Sequence, residues 1–151
     1  MQFLFGAETY SVDTKGRVKI PSRVRQFLTE EDDLFYATQS PHENCIFLYP
    51  KKEFEAVVER MKNYSVLAGG DDIAVRMFVG ISTEPCKLLA QSRIMLSESM
   101  RRFINITNEV VIIGVGNLLA LWEPKTFDEF KKRTEARSQE LYSKAFGRSG
   151  N

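Results

Sequence analysis

Apolar and polar positions along this chain fall into short alternating runs and short helical stripes, and the same succession occurs twice. Residues 3–12 alternate loosely and contain Phe, Tyr, Thr and Val, which predicts a strand. Thr14-Lys15-Gly16 follows as a tight turn, with Gly16 free to take a positive φ. In Arg17-Val18-Lys19-Ile20, charge alternates with β-branched residues. Both cations therefore share one face of a returning strand, while Val18 and Ile20 share the other. Pro21 fits a first helical position, and a short helix through Leu28 is expected to bury Val24, Phe27 and Leu28. Glu30 to Asp33 read as an acidic loop, and Leu34 to Thr38 and Cys45 to Tyr49 as two strands. Pro50 opens a helix whose stripe is Phe54, Val57, Val58 and Met61.

A connecting helix is expected from Asp71, with Ile73, Met77, Phe78 and Ile81 inward. The pattern then returns. Pro85 to Leu89 and Arg93 to Leu96 predict a second hairpin, and Ser97-Glu98 opens a short helix with Met100, Phe103 and Ile104 inside. Two more strands follow, Glu109 to Gly114 and Leu118 to Trp122. Pro124 opens one long terminal helix carrying Phe127, Phe130, Thr134, Leu141 and Ala145 on one side. Glu8 answers to Glu84, Arg17 to Arg93, Ile20 to Leu96, Arg25 to Arg101 and Phe27 to Phe103, about 76 residues apart. Further on, Tyr49 answers to Trp122 and Phe54 to Phe127. The division expected is a first half over 3–68, a connecting helix over 69–82, a second half over 83–146 and a tail over 147–151. The class is α+β, a single compact chain whose duplicated halves share one core.

Composition changes the picture in one respect. The 43% hydrophobic and 27% charged content is that of a soluble globular domain, and the formal net charge is only +1. Any affinity for a polyanion must therefore come from a local patch. Such a patch is present: Lys15, Arg17, Lys19, Arg23 and Arg25 are five cations within eleven residues, with no acid among them. No run approaches the ~18 apolar residues of a membrane span, and the first residues lack a basic leader, so a cytoplasmic protein is expected. Cys45 and Cys86 lie in apolar strand-like runs and read as buried reduced thiols, with no disulfide, metal or cofactor implied.

Enzyme readings are poor. His42 is the only histidine and lies in a Ser-Pro-His-Glu-Asn turn. The acids at 30–33 lack a calcium-loop spacing, Gly114-Val115-Gly116 is a hairpin turn, and Asp71-Asp72 is a helix start. The cationic run carries more. An arginine at a hairpin edge can offer two parallel N–H donors to guanine O6 and N7 or to a phosphate. Lys15 and Lys19 suit phosphates as point charges, and Arg23 and Arg25 would widen the same face. Asp13 supports the motif by accepting from the turn backbone or orienting Arg17. The bland alternative is a solvated surface with salt bridges to Glu8, Glu30 or Glu31. In the terminal helix, cations mix with Phe127, Phe130, Leu141 and Phe146, and packing on a neighbouring half or subunit is the default expectation.

Asp13-Thr14-Lys15-Gly16-Arg17 with Pro21 and Arg25 resembles the first signature of the MraZ family, and the likeness runs from Phe3 to about Phe130. It includes the run into Leu48-Tyr49-Pro50 and its echo Leu121-Trp122-Glu123. The resemblance implies an internally duplicated AbrB-type (SpoVT-AbrB) fold of swapped-hairpin β-barrel halves with flanking helices. It also implies a cytoplasmic, nucleoid-associated transcription regulator, a repressor by expectation. Its target would be double-stranded DNA, at short direct repeats upstream of the division and cell-wall gene cluster. The implied assembly is a ring-shaped homo-oligomer, octamer-like or larger, with no membrane partner. Family members carry Asp-x-x-Gly-Arg in both halves, which makes Arg17 and Arg93 the implied DNA contacts; Arg101 is a further candidate because it keeps the spacing of Arg25. The second half departs from this: Leu89 stands at the Asp position, Gln91 at that of Lys15, Ser92 at that of the Gly, and Ser97 at that of Pro21. The rival reading is a ring-forming interaction protein whose cationic hairpins dock an acidic protein partner.

Overall fold

Each strand from the first half of the chain is hydrogen-bonded to a strand from the second half. In the computed structural model, which describes residues 3–28 and 33–147, the first half supplies β1 (Ala7–Ser11), β2 (Arg17–Lys19), β3 (Leu34–Gln39) and β4 (Ile46–Pro50). Helices α1 (Ser22–Phe27) and α2 (Lys51–Met61) belong with them, and α3 (Gly70–Ser82) leads to the second half. There β5 (Thr83–Lys87), β6 (Arg93–Met95), α4 (Glu98–Ile104), β7 (Glu109–Gly114), β8 (Leu119–Trp122), α5 (Pro124–Ala136) and α6 (Ser138–Phe146) follow in the same order. The expected Glu30, Glu31 and Asp32 of the acidic loop, the Phe27 side chain and tail residues 148–151 lie outside the described residues.

Six strands form one antiparallel sheet in the order β1-β7-β8-β4-β3-β5, and β2 and β6 form a separate two-stranded ribbon. Replacing each strand by its counterpart four places along reverses the sheet order onto itself, so the chain carries an internal twofold. The axis passes between β4 and β8, where Phe47 faces Ala120, and between Val18 and Ile94 in the ribbon.

Two expectations are corrected here. The local hairpins do not form: β1 pairs with β7 and β2 with β6, and the first turn is closed by the isolated bridge Val12↔Val18, with Val12 just past the end of β1. Nor does the sheet close into a barrel, because β1 and β5 remain its open edges. Pro85 within β5 has no N–H to extend the ladder, and β1 is largely exposed with Glu8 upon it, so both edges are poor templates for further pairing.

Alternation decides what is buried. Val18, Ile20, Ile94 and Leu96 turn inward from the ribbon segments onto one sheet face, meeting Phe35, Ala37, Ile46, Leu48, Val110, Ile112, Leu119 and Leu121. Val24 of α1 and Met100 and Ile104 of α4 seal this layer. On the opposite face, Trp122 and Cys45 pack beneath Phe127 and Phe130 of α5, and Phe54 of α2 stacks on Tyr36 at 4.8 Å and meets Tyr49 edge-on at 5.4 Å. Tyr49 with Phe54 and Trp122 with Phe127 thus occupy matched places, as their spacing predicted. Both cysteines are free and buried, and desolvation pushes the Cys45 thiol up to about 11 and the Cys86 thiol up to about 12.

Helix ends differ from expectation in small ways. Pro21 and Pro50 are the residues just before α1 and α2, whereas Pro124 does sit in the first turn of α5, whose N-cap Glu123 accepts from the Lys125 and Thr126 amides at 2.9 Å. The terminal helix is broken at Arg137, separating α5 from α6, and Ala145 lies exposed. On α3, Met77, Phe78 and Ile81 were expected inward but are 60%, 51% and 82% exposed, and none of them joins either apolar cluster of the core. Ile94→Ala, which empties the centre of the ribbon's inner face, is expected to cost about 2–5 kcal/mol in urea unfolding.

Candidate nucleic-acid interface

The ribbon is three residues wide on each side, and its register sets Arg17 opposite Met95, Val18 opposite Ile94, and Lys19 opposite Arg93. With Val18 and Ile94 buried, the pleat puts Arg17, Lys19, Arg93 and Met95 on the outer face. Arginines about 76 residues apart in sequence are thereby brought onto one surface. The sequence pattern assigned each to its own hairpin. The signal for the true arrangement was the brevity of the two matched runs, which are too short to stand as separate hairpins.

The first turn is built around one carboxylate. Asp13 Oδ1 accepts from the Lys15 amide at 2.9 Å and the Arg17 amide at 2.8 Å, while Oδ2 accepts from Arg17 Nε at 2.6 Å. The Asp13 carbonyl accepts from the Gly16 amide at 2.9 Å. The backbone bond from Arg17 holds the Asp13 carboxyl below the usual aspartate range; desolvation opposes it, and the Arg17 side-chain bond and the Lys15 amide add to the lowering. A grip through Nε leaves the terminal guanidinium fork for a second partner, and the Arg17 side chain keeps 34% of its surface exposed. Gly16 takes φ +86°, and a Cβ there would lie 2.5 Å from the Leu96 carbonyl oxygen. The Gly16 carbonyl in turn accepts from the Leu96 amide at 2.9 Å, tying this turn to the second half.

The second turn repeats the geometry with different chemistry. Ser92 takes the left-handed φ of +58° and Gln91 one of +61°, and the Ser92 carbonyl accepts from the Ile20 amide at 2.7 Å, as Gly16 does from Leu96. Leu89 donates its amide to the Arg93 carbonyl at 2.6 Å but offers no carboxylate, and Arg93 Nε is buried without a partner among the described residues. Ser97, at the place of Pro21, caps α4 by accepting from the Met100 amide at 3.1 Å.

The remaining cations separate into two kinds. Lys15, Lys19 and Arg25 are exposed. Arg23, expected to widen the cationic face, is instead half-buried: its guanidinium donates to Glu8, and its Nε and second terminal nitrogen are enclosed without partners among the described residues. This is the ion pair of the bland alternative, and it holds for Arg23. The Tyr10 hydroxyl bond at 2.7 Å, and then Arg23, draw the Glu8 carboxyl below its ordinary value. Arg101 is half-buried against Gly16, with Nε donating to the Leu96 carbonyl at 3.1 Å, so it braces the junction of the two turns. Met95, absent from the sequence-based site, is exposed on the outer face. His42 sits exposed in a turn whose Ser40 hydroxyl accepts from the His42 and Glu43 amides.

Fold and site together define a duplicated α+β protein that exchanges strands between its halves to present a cationic ribbon. The chain belongs to the MraZ family: the family model described as "MraZ protein, putative antitoxin-like" matches it twice, over residues 3–74 and 77–149. It is similar to proteins named "Transcriptional regulator MraZ" from three organisms. These are Desulforamulus reducens (29% identity, 90% of this chain and 92% of the relative) and Natranaerobius thermophilus (32%, 87% and 88%). The third is from Symbiobacterium thermophilum (31%, 91% and 94%). Their shared name is that of a regulator and not of an enzyme, in agreement with the sequence reading. Among the described residues, no helix is long and apolar enough to cross a membrane.

Gly16→Ala is expected to destabilise the fold by about 2 kcal/mol or more, whereas Ser92→Gly, relieving a left-handed residue, should raise stability by up to about 1 kcal/mol in thermal melts. Because the folded-state value of Asp13 is depressed, its contribution is complete above the ordinary aspartate range and is lost as pH falls through the lower folded value. Acid titration by NMR should show the Lys15 and Arg17 amide signals moving together in that window, with Asp13→Asn removing the transition.

Proposed function

We propose that this chain is a transcription regulator that binds DNA in a sequence-specific manner through the β2–β6 ribbon. The observation that carries the reading is the row of Arg17, Lys19 and Arg93 on the solvent face of a two-stranded ribbon with an apolar underside. A ribbon of this width fits the major groove. Arg17, gripped at Nε by Asp13, is suited to a bidentate contact with guanine or phosphate, and Lys15, Lys19 and Arg25 to backbone contacts. Arg93 joins from the second half. Arg101 and Arg23 contribute mainly to the framework, Arg101 at the turn junction and Arg23 on Glu8. The name of the relatives points the same way.

The finer reading is a cytoplasmic, nucleoid-associated repressor that occupies direct repeats upstream of the division and cell-wall gene cluster. The duplicated halves, 3–68 and 83–146 about the connecting helix 69–82, are supported by the palindromic order of the sheet. A ring-shaped homo-oligomer, octamer-like or larger, is supported by the apolar row Met77, Phe78 and Ile81 on α3, which the protomer leaves uncovered. One ribbon with a few phosphate contacts should bind with an affinity on the order of 10⁻⁴–10⁻⁶ M at physiological salt. Linked copies gain about 10²–10⁴ in avidity on repeated sites.

In gel shifts, the protein should prefer tandem direct repeats from the upstream region over scrambled duplex of equal length, with binding falling steeply as salt rises. Arg17→Ala should abolish that preference while native mass measurements show an unchanged assembly. Parental affinity in Arg17→Ala would remove the assigned site. Equal binding of repeats and scrambled duplex would favour the acidic-partner reading.

A further inference from the structure

The two ends of the ribbon occupy equivalent places about the internal twofold but differ in chemistry. Arg17 and Arg93 are matched by it, and so are Lys19 and Met95, since Arg17 faces Met95 while Lys19 faces Arg93. At the first end, the Asp13 carboxylate grips Arg17 Nε at 2.6 Å and the Arg17 amide at 2.8 Å. At the second, Leu89 holds the Arg93 carbonyl through its own amide, and Arg93 Nε has no acceptor among the described residues. Met95, 49% exposed, offers a thioether where the first end has an ammonium.

We infer that the ribbon reads DNA in one direction, with Arg17 making the base-specific guanine contact, Arg93 a sequence-neutral phosphate contact, and Met95 an apolar contact to a base edge such as a thymine methyl. This rests on the DNA-binding reading above and deepens it. A guanidinium already fixed by a carboxylate has little rotamer freedom left to lose on docking, so its fork is preset for a bidentate base. A guanidinium without that grip suits phosphate oxygens, which accept from many directions. The thioether has no charge to give a phosphate, and apolar contact with a thymine methyl is the base-edge interaction open to it. Two equal ends would favour a dyad-symmetric site; two unequal ends select an asymmetric one.

The test is selection of duplexes from a random-sequence pool by the full-length parent and by Arg17→Ala, Arg93→Ala, Met95→Ala and Leu89→Asp, each first checked for parental melting and native mass. The parent should enrich a non-palindromic consensus. Arg17→Ala should erase a guanine preference, lowering the ratio of selected to random binding about tenfold or more. Arg93→Ala should weaken selected and random duplexes alike and reduce the slope of log affinity against log salt by about one. Met95→Ala should relax a thymine position. Leu89→Asp, supplying the missing carboxylate, should move the consensus toward dyad symmetry. A palindromic parental consensus, or loss of a base preference in Arg93→Ala as large as in Arg17→Ala, overturns the inference while DNA binding stands. Failure of the parent to enrich any sequence overturns the DNA reading itself, and this inference with it.

Discussion

The antiparallel pairing of β2 with β6 is the contact on which the rest of the molecule leans. Two strands of three residues have no stability of their own in water. They persist here because Val18 and Ile94, at the centre of the ribbon, are buried on the sheet together with the flanking Ile20 and Leu96. Two backbone bonds close its ends, from the Leu96 amide to the Gly16 carbonyl at 2.9 Å and from the Ile20 amide to the Ser92 carbonyl at 2.7 Å. Each bond joins one half of the chain to the other. The ribbon therefore closes the core and gathers cations from two distant segments in a single step.

Polar groups around the ribbon divide into those that hold shape and those left for a partner. Asp13, Arg101, Glu8 and Arg23 are engaged within the protomer and keep the turns and the first edge strand in place. Lys15 and Lys19 face solvent, and the Arg17 side chain stays partly exposed. Such a division lets a protein of net charge +1 present a strongly cationic strip. The acids number 20 against 21 Lys and Arg, and beside the ribbon Asp13 and Glu8 are engaged by Arg17 and Arg23.

The duplication also has an energetic imprint. Gly16 adopts its positive φ without penalty, and Ser92 must adopt nearly the same turn with a Cβ. Arg17 Nε is satisfied by Asp13, while Arg93, beside Leu89, carries an enclosed Nε with no partner among the described residues. The second half follows the first in backbone and diverges in side chains, which is the expected record of a fold held by topology while local chemistry drifts.

Much was legible in the chain before any coordinates. The turn at Gly16, the alternation of Arg17 to Ile20, the strands leading to Tyr49 and Trp122, the helices after Pro50 and Pro124 and the near-repeat all follow from backbone preferences and side-chain periodicity, which act over a few residues. Alternation marks a strand's inner face but does not name the strand beside it. The resemblance implied swapped hairpins, but the register of each exchanged strand, the open sheet, the engagement of Arg23 and Arg101, and the exposure of Met77, Phe78 and Ile81 were decided only in the tertiary structure. Each depends on which distant surface reaches a segment first, and burial on a shared core settles that over the whole chain.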